Sequence, residues 1–208
     1  MPTVHLLRHG QASAHAADYD VLSDLGREQA RLLGGELHRR QGRVTAISTG
    51  TLVRQRDTAA IAAAAAGLAL PAVKDRRWNE YDHLALLDGV AHGPGFQERL
   101  DTALTRWAQD PDGSWPEFRD GARAALDDLA GRLASGESGL VFTSGGVVAA
   151  ICASLLGPGP GGFVALNRIT VNASVTTVVV GRRGAHLLSF NDHAYLHGRG
   201  RSDLVTFR

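Results

Sequence analysis

Short apolar runs alternate along this chain with longer segments whose apolar positions recur at helical spacing. Residues 3–7, TVHLL, form the first run; with their β-branched entries they read as a strand. After a polar loop, Ser23 stands where an N-cap would, ahead of Ala30, Leu33 and Leu37 on one helical face, and Gly42 is the expected close of that helix. Residues 44–48 read as a second strand. Thr49-Gly50-Thr51 then leads into a helix with an alanine-rich body at 59–66, ended by Gly67 and Pro71. Strand, helix, strand, helix in this order predicts an α/β fold: a three-layer α/β/α sandwich with a mostly parallel central sheet.

The later pattern continues this plan. Residues 75–116 are richer in charge, tryptophan, Gly and Pro, with one amphipathic helix at 96–109; they read as an excursion from the sheet that forms a lid or rim, within a single domain spanning 1–208. A helix is expected at 117–134, a strand at 140–143 and a helix at 147–156. GPGPGG, residues 157–162, reads as a loop. Two strands at 174–180 and 185–190, joined across 181–184, predict a hairpin at the sheet edge.

Composition narrows the function classes. The uncharged stretch 139–157 is long enough to raise a membrane span, but Thr143-Ser144-Gly145-Gly146 divides it into a strand-length and a helix-length piece, as a buried strand feeding a buried helix would be divided. With 44% hydrophobic and 21% charged residues and a formal net charge of +1, the chain has no field for gripping nucleic acid or a membrane. Its single cysteine, Cys152, cannot form an internal disulfide and reads as a small buried hydrophobe. No charged segment followed by an apolar one opens the chain, so the cytoplasm is the expected location.

Ligands of open α/β sheets bind at the carboxyl ends of strands, and three such ends carry informative residues. At the first, Arg8 can grip an oxyanion with a two-pronged contact. His9 can act as nucleophile, acid or base near neutrality, and Gly10 lets the backbone bend closely around a ligand; three residues alone could equally be coincidence. At the second, Arg54 and Arg56 fall in the first turns of a helix, where free N–H groups also favour an anion. Two arginines two apart cannot both face one ligand, so one belongs to the surface. At the third, the backbone of TSGG, residues 143–146, offers an anion nest through Ser144 and Gly145.

Together these segments carry a resemblance. Arg8-His9-Gly10 after the first strand, Ser23-x-x-Gly26-x-x-Gln29-Ala30, an arginine-bearing segment at 48–58, a later Glu80 and a strand-Gly-Gly-helix unit follow one another as in the histidine phosphatase superfamily, the phosphoglycerate mutase-like fold. The chain resembles that family over nearly its whole length. The resemblance implies a phosphomonoester hydrolase in which His9 attacks phosphorus and becomes a phosphohistidine that water then hydrolyses. It implies Arg8 and Arg54 as the phosphate clamp and Glu80 as the general acid, with Asp82 the rival for that role. Such a scheme calls for no metal or cofactor, and its partner is a small phosphorylated substrate.

One departure stands out. Relatives usually carry a second histidine just before the Gly-Gly pair, and this chain has Ser144 there. A hydroxyl offers a phosphoryl oxygen one neutral hydrogen bond where an imidazolium would add charge. Three readings follow: a modest phosphatase relying on Ser144 and the nest; a phosphatase in which His15, His83 or His193 fills the space; or a phosphate-ligand binder without turnover. A mutase would need further cations, for which only Arg76, Arg77 and Arg168 are available. Trp78 and Tyr81, on either side of Glu80, are candidate pocket walls or core anchors.

Overall fold

In a computed structural model the described residues are 1–13, 20–40, 42–87, 89, 95–197 and 202–207. Strands β1 (Thr3–Arg8), β2 (Arg43–Thr49), β3 (Ala72–Lys74), β4 (Glu137–Thr143), β5 (Val175–Gly181) and β6 (Gly184–Asp192) form one sheet in the order β3-β2-β4-β1-β5-β6. The first four in that order run parallel, and β5 and β6 form an antiparallel hairpin on one edge. The sandwich expected from the alternation is present. β3 was not foreseen, because three exposed residues carry no periodicity to read.

Successive side chains of a strand point to opposite faces, and the core divides accordingly. Leu7, Ile47, Leu140 and Phe142 pack against α1 (Asp24–Arg39) and α2 (Val53–Ala66). Val4, Leu6, Val141 and Val178 pack on the other face against α5 (Trp115–Ala130) and α6 (Gly145–Leu156). α1 and α2 touch backbone to backbone at Gly34, where a Cβ would overlap Ala62 O. Between α2 and α5 in the chain, α3 (His83–Leu86) is a single turn and α4 (Phe96–Gln109) is the amphipathic helix expected there. Trp107 of α4 meets Tyr81, Trp115, Phe118 and Phe163, an aromatic cluster that fastens the 75–116 segment onto α6 and α7 (Gly159–Ile169). A last turn, α8 (Ala194–His197), follows the hairpin.

Several boundaries differ from the sequence reading, among them the start of β4, which is Glu137 instead of residue 140, and the start of α6, which is Gly145 instead of residue 147. GPGPGG is a loop only at its start, since α7 begins at Gly159 with Pro160 in its first turn, where the missing N–H has no intrahelical partner to lose. α1 ends at Arg39, and its C-cap Arg40 keeps right-handed geometry, so Gly42 is not the cap. α5 runs from Trp115 to Ala130 instead of 117–134. Ser23 is the N-cap of α1, accepting from Gly26 N–H, and Gly67 closes α2 in the left-handed conformation.

Candidate active site

The carboxyl end of β1 sits beside that of β4, Arg8 paired with Thr143, and the backbone of residue 9 is held from both sides. His9 N–H donates to Thr143 O at 2.9 Å, while His9 O accepts from Ala173 N–H and Asn172 Nδ2, both at 3.2 Å. The chain then bends onto α1, where Gly10 and Gly26 press backbone against backbone; a Cβ on Gly10 would overlap Gly26 O, and one on Gly26 would overlap Gln11 O. Gln29 secures the same junction, accepting from Gln11 N–H and donating to Leu204 O and Thr206 Oγ1. The two glycines and the glutamine of the sequence motif are thus one packing unit.

His9 is 5% exposed. Its Nδ1 lies 2.7 Å from Gly10 O and its Nε2 lies 3.1 Å from Arg54 Nε. A guanidinium can only donate, so Nε2 is the acceptor and Nδ1 carries the proton, given to Gly10 O. Burial holds the imidazole pKa well below 6.5, with Arg54 and Arg8 adding to the effect against the Gly10 hydrogen bond. His9 is therefore neutral, with the Nε2 lone pair directed toward the Arg54 guanidinium.

Arg54, 8% exposed, is set by the first turn of α2. Asp20 accepts from Val53 N–H and from Arg54 Nη1, each at 2.7 Å, so one carboxylate caps the helix and steadies the guanidinium. Thr58 Oγ1 donates to Arg54 O and accepts from Gly10 N–H, which ties the helix to the end of β1. Arg8 donates through Nη1 to Thr170 O and through Nη2 to Phe207 O. Arg56 turns away from His9 to line a separate cleft of about 570 Å³ with Asp57, Ala60 and Lys74, as the two-residue spacing required.

Glu80 reaches the same place from the far side. Its Oε2 accepts from Gly146 N–H and its Oε1 from Tyr81 N–H, both at 3.2 Å, and a Cβ on Gly146 would overlap the carboxylate and the Tyr81 ring. Burial raises its pKa above the ordinary 4.5, opposed by the Gly146 hydrogen bond and by the charges of Arg54 and Arg8. Asp82 is exposed and caps α3 through Leu84 and Ala85 N–H, so it does not share this position.

Residues 4–193 match the family model of the histidine phosphatase superfamily, branch 1. The chain belongs to this superfamily. Among solved structures it is similar to Bacillus stearothermophilus YhfR, at 23% identity and a TM-score of 0.73 over 94% of this chain and 99% of that one. A mycobacterial glucosyl-3-phosphoglycerate phosphatase complexed with VO3 is 24% identical with a TM-score of 0.69, covering 92% of this chain and 99% of that one. An Entamoeba histolytica phosphoserine phosphatase, a histidine-to-alanine mutant in complex with phosphoserine, is 16% identical with a TM-score of 0.67, covering 94% and 100%. At these identities the likeness establishes the fold. Among curated proteins, none matches the sequence.

At the histidine phosphatase position where a second histidine was expected, Ser144 is fully buried and its Oγ lies 2.8 Å from Gln55 Nε2. Gly145 follows, close enough that a Cβ would sit 3.5 Å from the Arg8 guanidinium. His193 faces Asn191 O and the His197 ring, His83 opens α3, and His15 lies outside the described residues. Arg77 is bound to Asp75 and Asp128 and Arg168 to Asp101, whereas Arg76 is exposed. Trp78 is a core anchor donating to Ser48 Oγ; Tyr81 is half-buried beside Gly146, its hydroxyl accepting from Asn167. Cys152 is buried in the core, which pushes its thiol up to about 12.

Asp20, Gln55, Thr58 and Asn172 escaped the sequence reading. Gln55 and Thr58 had one available signal: polar residues at 55 and 58 stand one and four positions from Arg54, so one of them shares its helical face.

Proposed function

We propose that this protein is a phosphomonoester hydrolase acting on a small phosphorylated substrate through a phosphohistidine at His9. The observation that carries the reading is the pair of hydrogen bonds on the His9 ring, Nδ1–H to Gly10 O and Arg54 Nε to Nε2, which support a neutral nucleophile beside a cation. When a phosphoryl group enters, the Arg54 donor turns from Nε2 to a phosphoryl oxygen and frees the lone pair. The Nε2–P bond forms as the ester P–O bond breaks, and Arg8 and Arg54 stabilise charge on the equatorial oxygens. Glu80, kept protonated above the ordinary carboxylate range, gives its proton to the leaving oxygen; as the carboxylate it then takes a proton from the water that attacks phosphorus and releases phosphate. With Arg77 and Arg168 committed to ion pairs, hydrolysis is favoured over mutase chemistry, which must retain a doubly phosphorylated intermediate.

The relatives named above include phosphatases of a glucosyl phosphoglycerate and of phosphoserine, which supports small phosphomonoesters as the substrate class. The test is phosphate release from p-nitrophenyl phosphate and a panel of metabolite phosphates, beside His9→Ala. Release by the wild-type protein and at least about 10⁴-fold less by the variant supports the reading. Saturable phosphate binding by both proteins without release would replace it with a non-catalytic binder.

A further inference from the structure

The β4 end has no charged donor, yet Ser144 is not left to itself. Gln55, one residue past Arg54 on α2, is fully buried, and its Nε2 donates to Trp78 O at 2.9 Å and to Ser144 Oγ at 2.8 Å. The amide cannot be turned over, since that would set Oε1 against the Trp78 carbonyl, an acceptor that Thr143 Oγ1 also uses. Both Nε2 hydrogens are therefore committed, one to each oxygen. Ser144 Oγ, taking one of them into a lone pair, keeps its own proton to donate elsewhere. Oε1 of the same amide is buried without a hydrogen-bond partner, against Gly50, where a Cβ would overlap it. A buried amide with its acceptor unmet and both donors engaged is held for what the donors do.

We infer that Gln55 is a positioning residue that makes Ser144 a hydrogen-bond donor to the phosphoryl group, so that the pair takes the place of the missing second histidine. The inference rests on the phosphatase reading above and deepens it. Ser144 stands next to Thr143, whose carbonyl holds His9 N–H, and is followed by Gly145 under Arg8 and Gly146 on Glu80, so its backbone lies in the same strand end that carries contacts to three of the groups proposed to act on the phosphoryl. Without Gln55 nothing would fix the rotation of the hydroxyl, and it could present a lone pair to an anion. With Gln55 in place that orientation is blocked. The device supplies direction without charge, on an element already anchored to the site by Arg54.

A double-mutant cycle tests this. Ser144→Ala and Gln55→Met are each expected to lower kcat about 10- to 100-fold with KM changed far less, as for loss of one neutral transition-state donor. The double variant is expected to be no slower than Ser144→Ala, because Gln55 acts only through that hydroxyl. A merely structural Gln55 would lower the Ser144→Ala rate again by the same factor, and that additivity would overturn the inference, as would a folded Gln55→Met with wild-type kcat. Gln55→Ala repeats the cycle if Gln55→Met does not fold. Vanadate affinity, measured on the same four proteins, separates this inference from the parent reading. If the wild-type protein releases no phosphate, non-additive losses of vanadate affinity still support the pair while the hydrolase reading fails. Unchanged or additive affinities overturn the pair.

Discussion

The ends of β1 and β4 are hydrogen-bonded neighbours, Arg8 opposite Thr143, and they finish in opposite chemistry. The β1 end presents Arg8 and His9 and is faced across the site by Arg54 and Glu80, four ionisable groups whose fields act on one another. The β4 end presents a serine hydroxyl and two glycines, with no ionisable side chain of its own. Charge in this site is therefore one-sided. Burial holds His9 neutral with the cations adding to it, and the cations oppose the upward shift of Glu80, while the β4 side contributes neutral groups and room, since Gly146 is the surface on which Glu80 lies. A site built this way should lose rate steeply when its charged half is damaged and gradually when its neutral half is.

The steepest loss outside His9 itself is expected from Arg54→Ala, about 10³-fold in kcat, because a fixed cation at the transferring phosphoryl group is removed together with the donor to Nε2. Steady-state kinetics decide it; a loss no larger than that of Ser144→Ala would erase the contrast between the two strand ends. Glu80→Gln should follow at about 10²-fold in kcat/KM for substrates with alkoxide leaving groups, and with little effect on the phosphorylation step of p-nitrophenyl phosphate, whose leaving group hardly needs the proton, while hydrolysis of the phosphohistidine slows for both.

The pH profile sharpens the same point. His9 is held below 6.5, so its neutral form persists as pH falls past that value and the acid limb of kcat/KM lies below 6.5. Glu80 is held above 4.5, so the proton it donates is lost only as pH rises beyond that value, which sets the alkaline limb. The rate is expected to hold between these two limbs, and Glu80→Gln should remove the alkaline limb alone. Retention of that limb in the variant would assign it to another group.

The residues at the three strand ends were legible in the sequence, and the partners that hold them were not, for a physical reason. Arg8, His9 and Gly10 are consecutive, and Arg54 lies in a helix start, so local pattern places each at a strand end where ligands bind. Gln55 and Ser144 are 89 positions apart, and Asn172 and His9 are 163 apart; only the folded sheet brings them together. Asp20 acts through the start of α2, 33 positions on, which no periodicity encodes. Ser144 read as a missing charge, but the partner that gives its hydroxyl a direction came from a helix whose visible feature was its arginine. In the fold, the alternation of strand and helix was readable, while α7 hid behind prolines tolerated only in a first helical turn, and β3 was too short to show a period.

The central claim is that phosphate passes through the Nε2 of His9. Mixing the protein with a phosphomonoester for milliseconds, quenching in alkali to preserve phosphohistidine and mapping the modified peptide by mass spectrometry tests it most directly. The account predicts one phosphoryl group, on residue 9, absent from His9→Ala. Turnover with phosphate on any other residue, or a product burst with no phosphoprotein, would contradict it.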